Sequence, residues 1–249
     1  MRYIFIPCFM LCFLLFTQVT LADERMKEVI INSYHVDLKQ NGVKENIHLK
    51  GNPFSKQSAY YPRIWAEIKG VSDKVRKIEL GGGYRPSLKF IDYNHNQLED
   101  ILYQSSTTAH ESEVYNYTLI SVEEDNIEEI RLPKREYMDL LFKDNFELTV
   151  KLSPQLSPLS IDVSNNSKEL TRLGIYSKDG KVLKEKPVIN RHIISFDPIE
   201  LSGGKGYGLK SKMKLSLSSS SNNLGVVETL WYYKDGKWII LKTDWLSNH

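Results

Sequence analysis

"IDYNHNQLEDILY", residues 91–103, runs from apolar residues into a polar turn and out again, with oxygen-bearing side chains at alternate places. Asp92, Asn94 and Asn96 stand two apart, and Asp100 follows four residues on. Such a turn between two short alternating runs reads as a β-hairpin whose loop offers oxygens to a hard cation. The same hairpin grammar recurs along the chain. "VDLKQNGVKENIHL" from Val36, "LFKDNFELTV" from Leu141 and "IELSGGKGYGLKS" from Ile199 each break an apolar run with a polar turn. With Asp37, Asp92, Asp144 and Glu200 as markers, the spacings are 55, 52 and 56 residues.

A second series keeps step with the first. Its tighter turns are "GVSDKVRKIEL", "VEEDNIEEIRL", "YSKDGKVLKE" and "YYKDGKWIIL", and their aspartates, Asp73, Asp125, Asp179 and Asp235, are 52, 54 and 56 residues apart. Asp-Gly between apolar runs, as at Asp179-Gly180 and Asp235-Gly236, is a strong hairpin signal. The runs between turns ("NIHLKG", "KIELGG", "YNYTLISVEE", "FELTVKL", "KMKLSLS", "KWIILKT") favour residues that suit a half-buried pleated surface. Each unit of about 54 residues therefore reads as strand, polar loop, strand, connection, strand, tight turn, strand. This predicts an all-β, propeller-like fold of about four four-stranded antiparallel meander blades, in a closed or open ring. The repeats would cover approximately 23–83, 84–134, 135–188 and 189–249 of a single domain, 23–249. A β-sandwich with many turns is the competing architecture.

The first residues, "MRYIFIPCFMLCFLLFTQVTLADE", combine Arg2, an apolar run from Tyr3 to Phe16 and small residues before Ala22. This predicts a signal peptide over 1–22 and a secreted or envelope-associated protein. Cleavage there would remove both cysteines, Cys8 and Cys12, leaving an exported chain held by its apolar core without disulfides. A formal net charge of +2 and the lack of a dense basic tract argue against nucleic acid as a partner. No second transmembrane run follows.

The loops "DLKQNGVKE" and "DYNHNQLED" resemble the nine-residue loops of FG-GAP/VCBS-type repeats, the blades of integrin-alpha-like propellers. "MDLLFKDNFELTVKL", "GIYSKDGKVL" and "NNLGVVETLWYYKDGKWIIL" are similar to segments of small secreted Gram-positive bacterial proteins with such repeats. The resemblance implies a propeller-like fold, calcium in the loops and extracellular binding or adhesion. In the second loop the implied ligands are Asp92, Asn94, Asn96 and Asp100, with Leu98 giving its carbonyl oxygen. Gln97 stands where the pattern has glycine, at a place that takes positive φ. In the first loop Asp37, Asn41 and Glu45 match and Gly42 is present. Lys39, however, brings an ammonium to the third ligand place, where a salt bridge to a carboxylate would stand in for the metal. The loop at Glu200 has lost its closing acid, with Gly208 in its place, and the turn at Asp144-Asn145 has shrunk. Asp and Asn also close turns on their own backbone without any metal.

No reaction is spelled out elsewhere. The histidines are scattered, there is no Gly-x-Ser-x-Gly elbow, and "LGGGY" (80–84) suits a bend better than a phosphate cradle. His95 falls at a non-ligand place expected to face solvent. A glycosidase would need two carboxylates about 5–10 Å apart, for which Asp92, Asp100, Glu111 and Glu113 are the available candidates. Among the aromatics, Trp231 and Trp238 read as packing residues, and Tyr60 and Tyr61, expected outside a strand beside Pro62, as a ligand-binding surface. The sequence thus predicts a non-catalytic binding or adhesion module whose partner is an extracellular protein or a cell-wall polysaccharide, with calcium as a structural clip. An extracellular glycosidase-like hydrolase and a structural envelope or coat protein are the alternatives.

Overall fold

The computed structural model describes residues 27–69, 75–109, 114–123, 126–217 and 223–246. The expected signal peptide, the turns at Asp73 and Asp125, and Glu111 and Glu113 lie outside the described residues. The chain is all-β, and every sheet is antiparallel. β1 (Val29–Val36), β2 (Glu45–Asn52), β3 (Tyr60–Lys69), β4 (Val75–Ile91), β5 (Asp100–Ser106), β6 (Tyr115–Val122) and β7 (Ile127–Ile130) form one seven-stranded meander in that order. β8 (Asp139–Lys143), β9 (Glu147–Lys151) and β10 (Leu159–Asp162) form a three-stranded sheet in the order β10-β9-β8. β11 (Ile189–Glu200), β12 (Tyr207–Leu217), β13 (Asn223–Lys234) and β14 (Lys237–Leu246) form the last sheet. The expected four sheets of four strands are thus found as three sheets, of seven, three and four strands.

The first sheet is long because one strand serves two units. β3 pairs with the first half of β4, from Val75 to Tyr84, and β5 pairs with the second half, from Tyr84 to Ile91. Between the halves lies the glycine run 81–83. Gly81 has φ +91°, and a side chain on Gly82 would meet the carbonyl oxygens of Pro62 at 2.7 Å and Tyr61 at 2.9 Å. The bend lets the sheet fold over on itself. Tyr34 of β1 packs edge-on against Phe90 of β4 at 5.2 Å and accepts the Leu88 N–H at 3.1 Å. Ile47, Leu49, Ile64, Ile68, Leu88, Ile101 and Ile120 belong to the core enclosed between the halves. The boundary expected after residue 83 therefore falls inside a strand.

The four turns of the first series sit where the periodicity placed them. Asp37, Asp92 and Asp144 open the turns β1–β2, β4–β5 and β8–β9, and Glu200 ends β11 before the turn into β12. Asp235 and Gly236 join β13 to β14 with φ of +49° and +75°, the two positive angles of a type I′ hairpin. In the third unit Asp179-Gly180 closes only an isolated bridge between Tyr176 and Val182. There a short helix, α1 (Ser167–Arg172), stands where a third strand was expected. Its Leu170 is buried, and Glu169 pairs with Arg172 one turn on.

Packing between units does not follow chain order. Leu102, Leu119 and Ile130 of the first sheet pack with Phe196, Leu209 and Trp231 of the last, and Tyr117 meets Phe196 edge-on at 5.2 Å. The other end of the last sheet, with Leu215, Leu217 and Val227, packs on Phe142, Leu148, Val150 and α1's Leu170. The four-stranded sheet thus lies between the other two, with no closed ring among the described residues.

Candidate functional site

The two loops singled out by the sequence have one hydrogen-bonding plan. Asp92 accepts the N–H groups of Asn96 at 3.1 Å and Gln97 at 2.9 Å. Asp37 likewise accepts those of Asn41 at 3.0 Å and Gly42 at 2.7 Å. Asn96 Oδ1 takes the Leu98 N–H at 2.9 Å, and Asn41 Oδ1 the Val43 N–H at 3.0 Å. Asp100 reaches back to the Tyr93 N–H at 2.9 Å, as Glu45 does to the Leu38 N–H at 3.0 Å. Gln97 takes φ +67°, the left-handed conformation that Gly42 adopts at +85° in the first loop. A non-glycine residue there costs about 1–2 kcal/mol. The loops also touch, since the Glu99 N–H donates to the Leu38 carbonyl at 2.8 Å.

These bonds are what the Asx-turn reading requires. The donor set of the second loop also suits a hard cation, with two carboxylates, two amide oxygens and a backbone carbonyl around one turn. Among the described residues no three Asp, Glu, His or Cys side chains gather as a metal cage, so amides would have to complete the shell. Asp100 is 0 % exposed, and burial pushes its carboxyl up to about 6 against hydrogen bonds from Ser121, Tyr93 and Asn94 that favour the charge. Glu99 is raised too, by burial and by the neighbouring Asp92 and Asp37 carboxylates.

A carboxyl whose folded pKa lies above its unfolded value keeps its proton in the native state while the unfolded chain loses it. Stability from Asp100 is then fully present below about pH 4 and lost as pH rises through about 6. The shift corresponds to roughly 2–3 kcal/mol. In chelator, wild-type melting temperature is expected to fall between pH 4 and pH 7 more steeply than that of Asp100→Asn. Parallel pH profiles would contradict this.

The structure alters two other site readings. His95 does not face solvent: its ring stacks on Tyr232 of β13 at 4.5 Å, its Nδ1 lies against Gly206, and its buried Nε2 has no partner among the described residues. Tyr60 and Tyr61 lie within β3, not in a loop, because a bulge between Tyr61 and Ile64 accommodates Pro62. Tyr61 packs on the first core. Tyr60 instead meets Tyr84 at 5.0 Å and Phe54, 72 % exposed, at 6.5 Å. Trp231 is buried and donates to Ser211 Oγ at 2.8 Å.

One concavity was not anticipated. A cleft of about 1360 Å³ lies where the three sheets meet, with Trp231, Tyr233 and Trp238 among its lining. It is bounded by β7, the linker from Arg131 to Tyr137, the turn from Leu152 to Leu156, and β14. A second cavity of about 520 Å³ lies beyond it along β14, toward Leu159 and Trp245. Arg135 in its lining is buried, with no carboxylate bound to it among the described residues. Its Nη1 donates to the Leu152 carbonyl at 2.5 Å, and its Nη2 to Thr229 Oγ1 at 2.8 Å and to Thr243 Oγ1. Burial lowers its pKa, while the guanidinium stays charged. Trp238 Nε1 donates to the Arg131 carbonyl at 2.7 Å, fixing the linker's other end. The sequence signal for this arrangement was slight: "PKREY" reads as an ordinary charged linker.

Residues 136–246 match the family described as the YybI C-terminal domain. The match runs from just before β8 to the end of β14, and the family's description names no activity. Comparison with curated proteins gives no match.

Proposed function

We propose that this protein is a non-catalytic, extracellular binding module that holds its partner in the cleft where the three sheets meet. The cleft's size and its tryptophan and tyrosine lining carry the reading, since a concavity in which aromatic and apolar side chains stand among polar and charged groups is a common form of binding site. The units are read as four drifted copies of one hairpin-pair module, the propeller-like blade of FG-GAP/VCBS-type repeats in an open arrangement. The matching bonds of the loops at Asp37 and Asp92 support this kinship. Calcium in the second loop, on Asp92, Asn94, Asn96, Asp100 and the Leu98 carbonyl, would supply the positive charge that a buried Asp100 carboxylate needs, clipping the hairpin by mass action. In the melting experiment above, millimolar calcium is then expected to raise the wild type at pH 7 and leave Asp100→Asn unmoved.

The partner is taken to be an extracellular protein or a cell-wall polysaccharide. Retention of the purified protein on isolated envelope and culture fractions tests this, with Ile240→Asp as the cleft variant. The wild type is expected to be retained and the variant at least tenfold less so. Equal retention of both would remove the cleft from the reading, and retention of neither would overturn it.

A further inference from the structure

We propose, resting on the binding-module reading above, that the cleft takes an extended polypeptide segment, which pairs with β14 as a fifth strand of the last sheet. Three strands that end their sheets open on this space. β7 closes the seven-stranded sheet, β10 the three-stranded one and β14 the four-stranded one. Glu128, Glu129 and Ile130 of β7 and Lys237 to Asp244 of β14 line the cleft, and Leu159 of β10 lines the adjoining cavity. An edge strand presents a row of backbone N–H and C=O groups spaced for another strand, a pattern that a polypeptide backbone matches and a sugar does not. β14 offers ten residues, about 33 Å of such edge.

The side chains fit that occupant. Ile239, Ile240 and Leu241 are 44, 44 and 51 % exposed, a run of apolar residues that an edge strand in water normally replaces with charge. A bulge bends β14 at this run, because Trp231 pairs with Ile240 and Leu230 with Lys242, leaving Leu241 unpaired. The linker and the Leu152–Leu156 turn line the cleft together with β14. The lining carries both signs, with Glu128 and Glu129 on β7 and Lys237 and Lys242 on β14. The fitting segment therefore alternates apolar residues toward the tryptophan-lined side with at least one lysine or arginine toward β7.

The probe is a display library of random twelve-residue peptides, panned on the purified protein and counter-selected on Ile240→Asp, whose fold is checked by its melting curve. A selected peptide is then made synthetically, and amide hydrogen exchange across residues 237–246 is followed with and without it. The expected result is tenfold or greater slowing at alternate β14 amides. N-methylation of alternate peptide residues is expected to weaken binding tenfold in one phase of the alternation and little in the other. Peptide binding that leaves β14 exchange unchanged would overturn strand pairing while leaving the binding-module reading intact. So would isolated cell-wall polysaccharide held in an Ile240-dependent way with no peptide selected. If neither probe binds, both readings fall.

Discussion

Replacing Arg135 with alanine is expected to destabilise the protein by about 3 kcal/mol, because the buried Leu152 carbonyl and Thr229 Oγ1 and the part-buried Thr243 Oγ1 lose their donor together. The guanidinium joins the Leu152 carbonyl of the third unit to Thr229 and Thr243 of the last sheet. Each orphaned buried group costs about 1–3 kcal/mol, and the smaller side chain adds a cavity. For a chain of this size that is a fall in melting temperature of roughly 6–12 °C. The triple variant Arg135→Met, Thr229→Val, Thr243→Val removes both hydroxyls with the charge and is expected to recover more than half of the loss. A melting curve for the alanine variant that overlays the wild type would show that Arg135 holds nothing together.

The second large effect belongs to the bend in β4. Gly82→Ala places a methyl 2.7 and 2.9 Å from two backbone carbonyl oxygens of β3, which have no rotamer with which to yield. Overpacking of this kind costs about 1–3 kcal/mol, and the rigid neighbours put this site at the upper end. Gly81→Ala meets nothing within 4 Å, yet its φ of +91° is strained for any L residue. It is expected to cost about 1–2 kcal/mol by a different route. Chemical denaturation of the two variants checks the order. If Gly82→Ala proves the milder substitution, the close approach of β3 to β4 is not what the glycine serves.

What the sequence disclosed and what it withheld divide along local and non-local physics. Asp235-Gly236 and the loops at Asp37 and Asp92 are legible because a turn needs particular φ angles and nearby acceptors within a few residues. The bend at Gly81–Gly83 is legible for the same reason. α1 escaped because six residues, "SKELTR", are too few to display a helical period. The packing of the last sheet on both the second and third units was invisible, since Leu209 and Leu215 carry the same alternation whichever neighbour they meet. His95 was misjudged because its cover, Tyr232, lies far along the chain. Arg135 and the cleft exist only once the units are packed. The turn-forming side chains of the second loop, Asp92, Asn94, Asn96 and Asp100, were legible because each accepts a backbone N–H within a few residues.

The single strand running through the first two units has a consequence for how such a chain can be cut or lengthened. Val75 to Leu80 finishes one unit and Tyr84 to Ile91 begins the next, so neither can be excised without stripping its neighbour of a paired edge. Inheritance by duplication would have had to copy from mid-strand to mid-strand. A protease or a recombination event entering at residue 83 would leave two unzipped halves, and the seven-stranded sheet stands or falls as one piece.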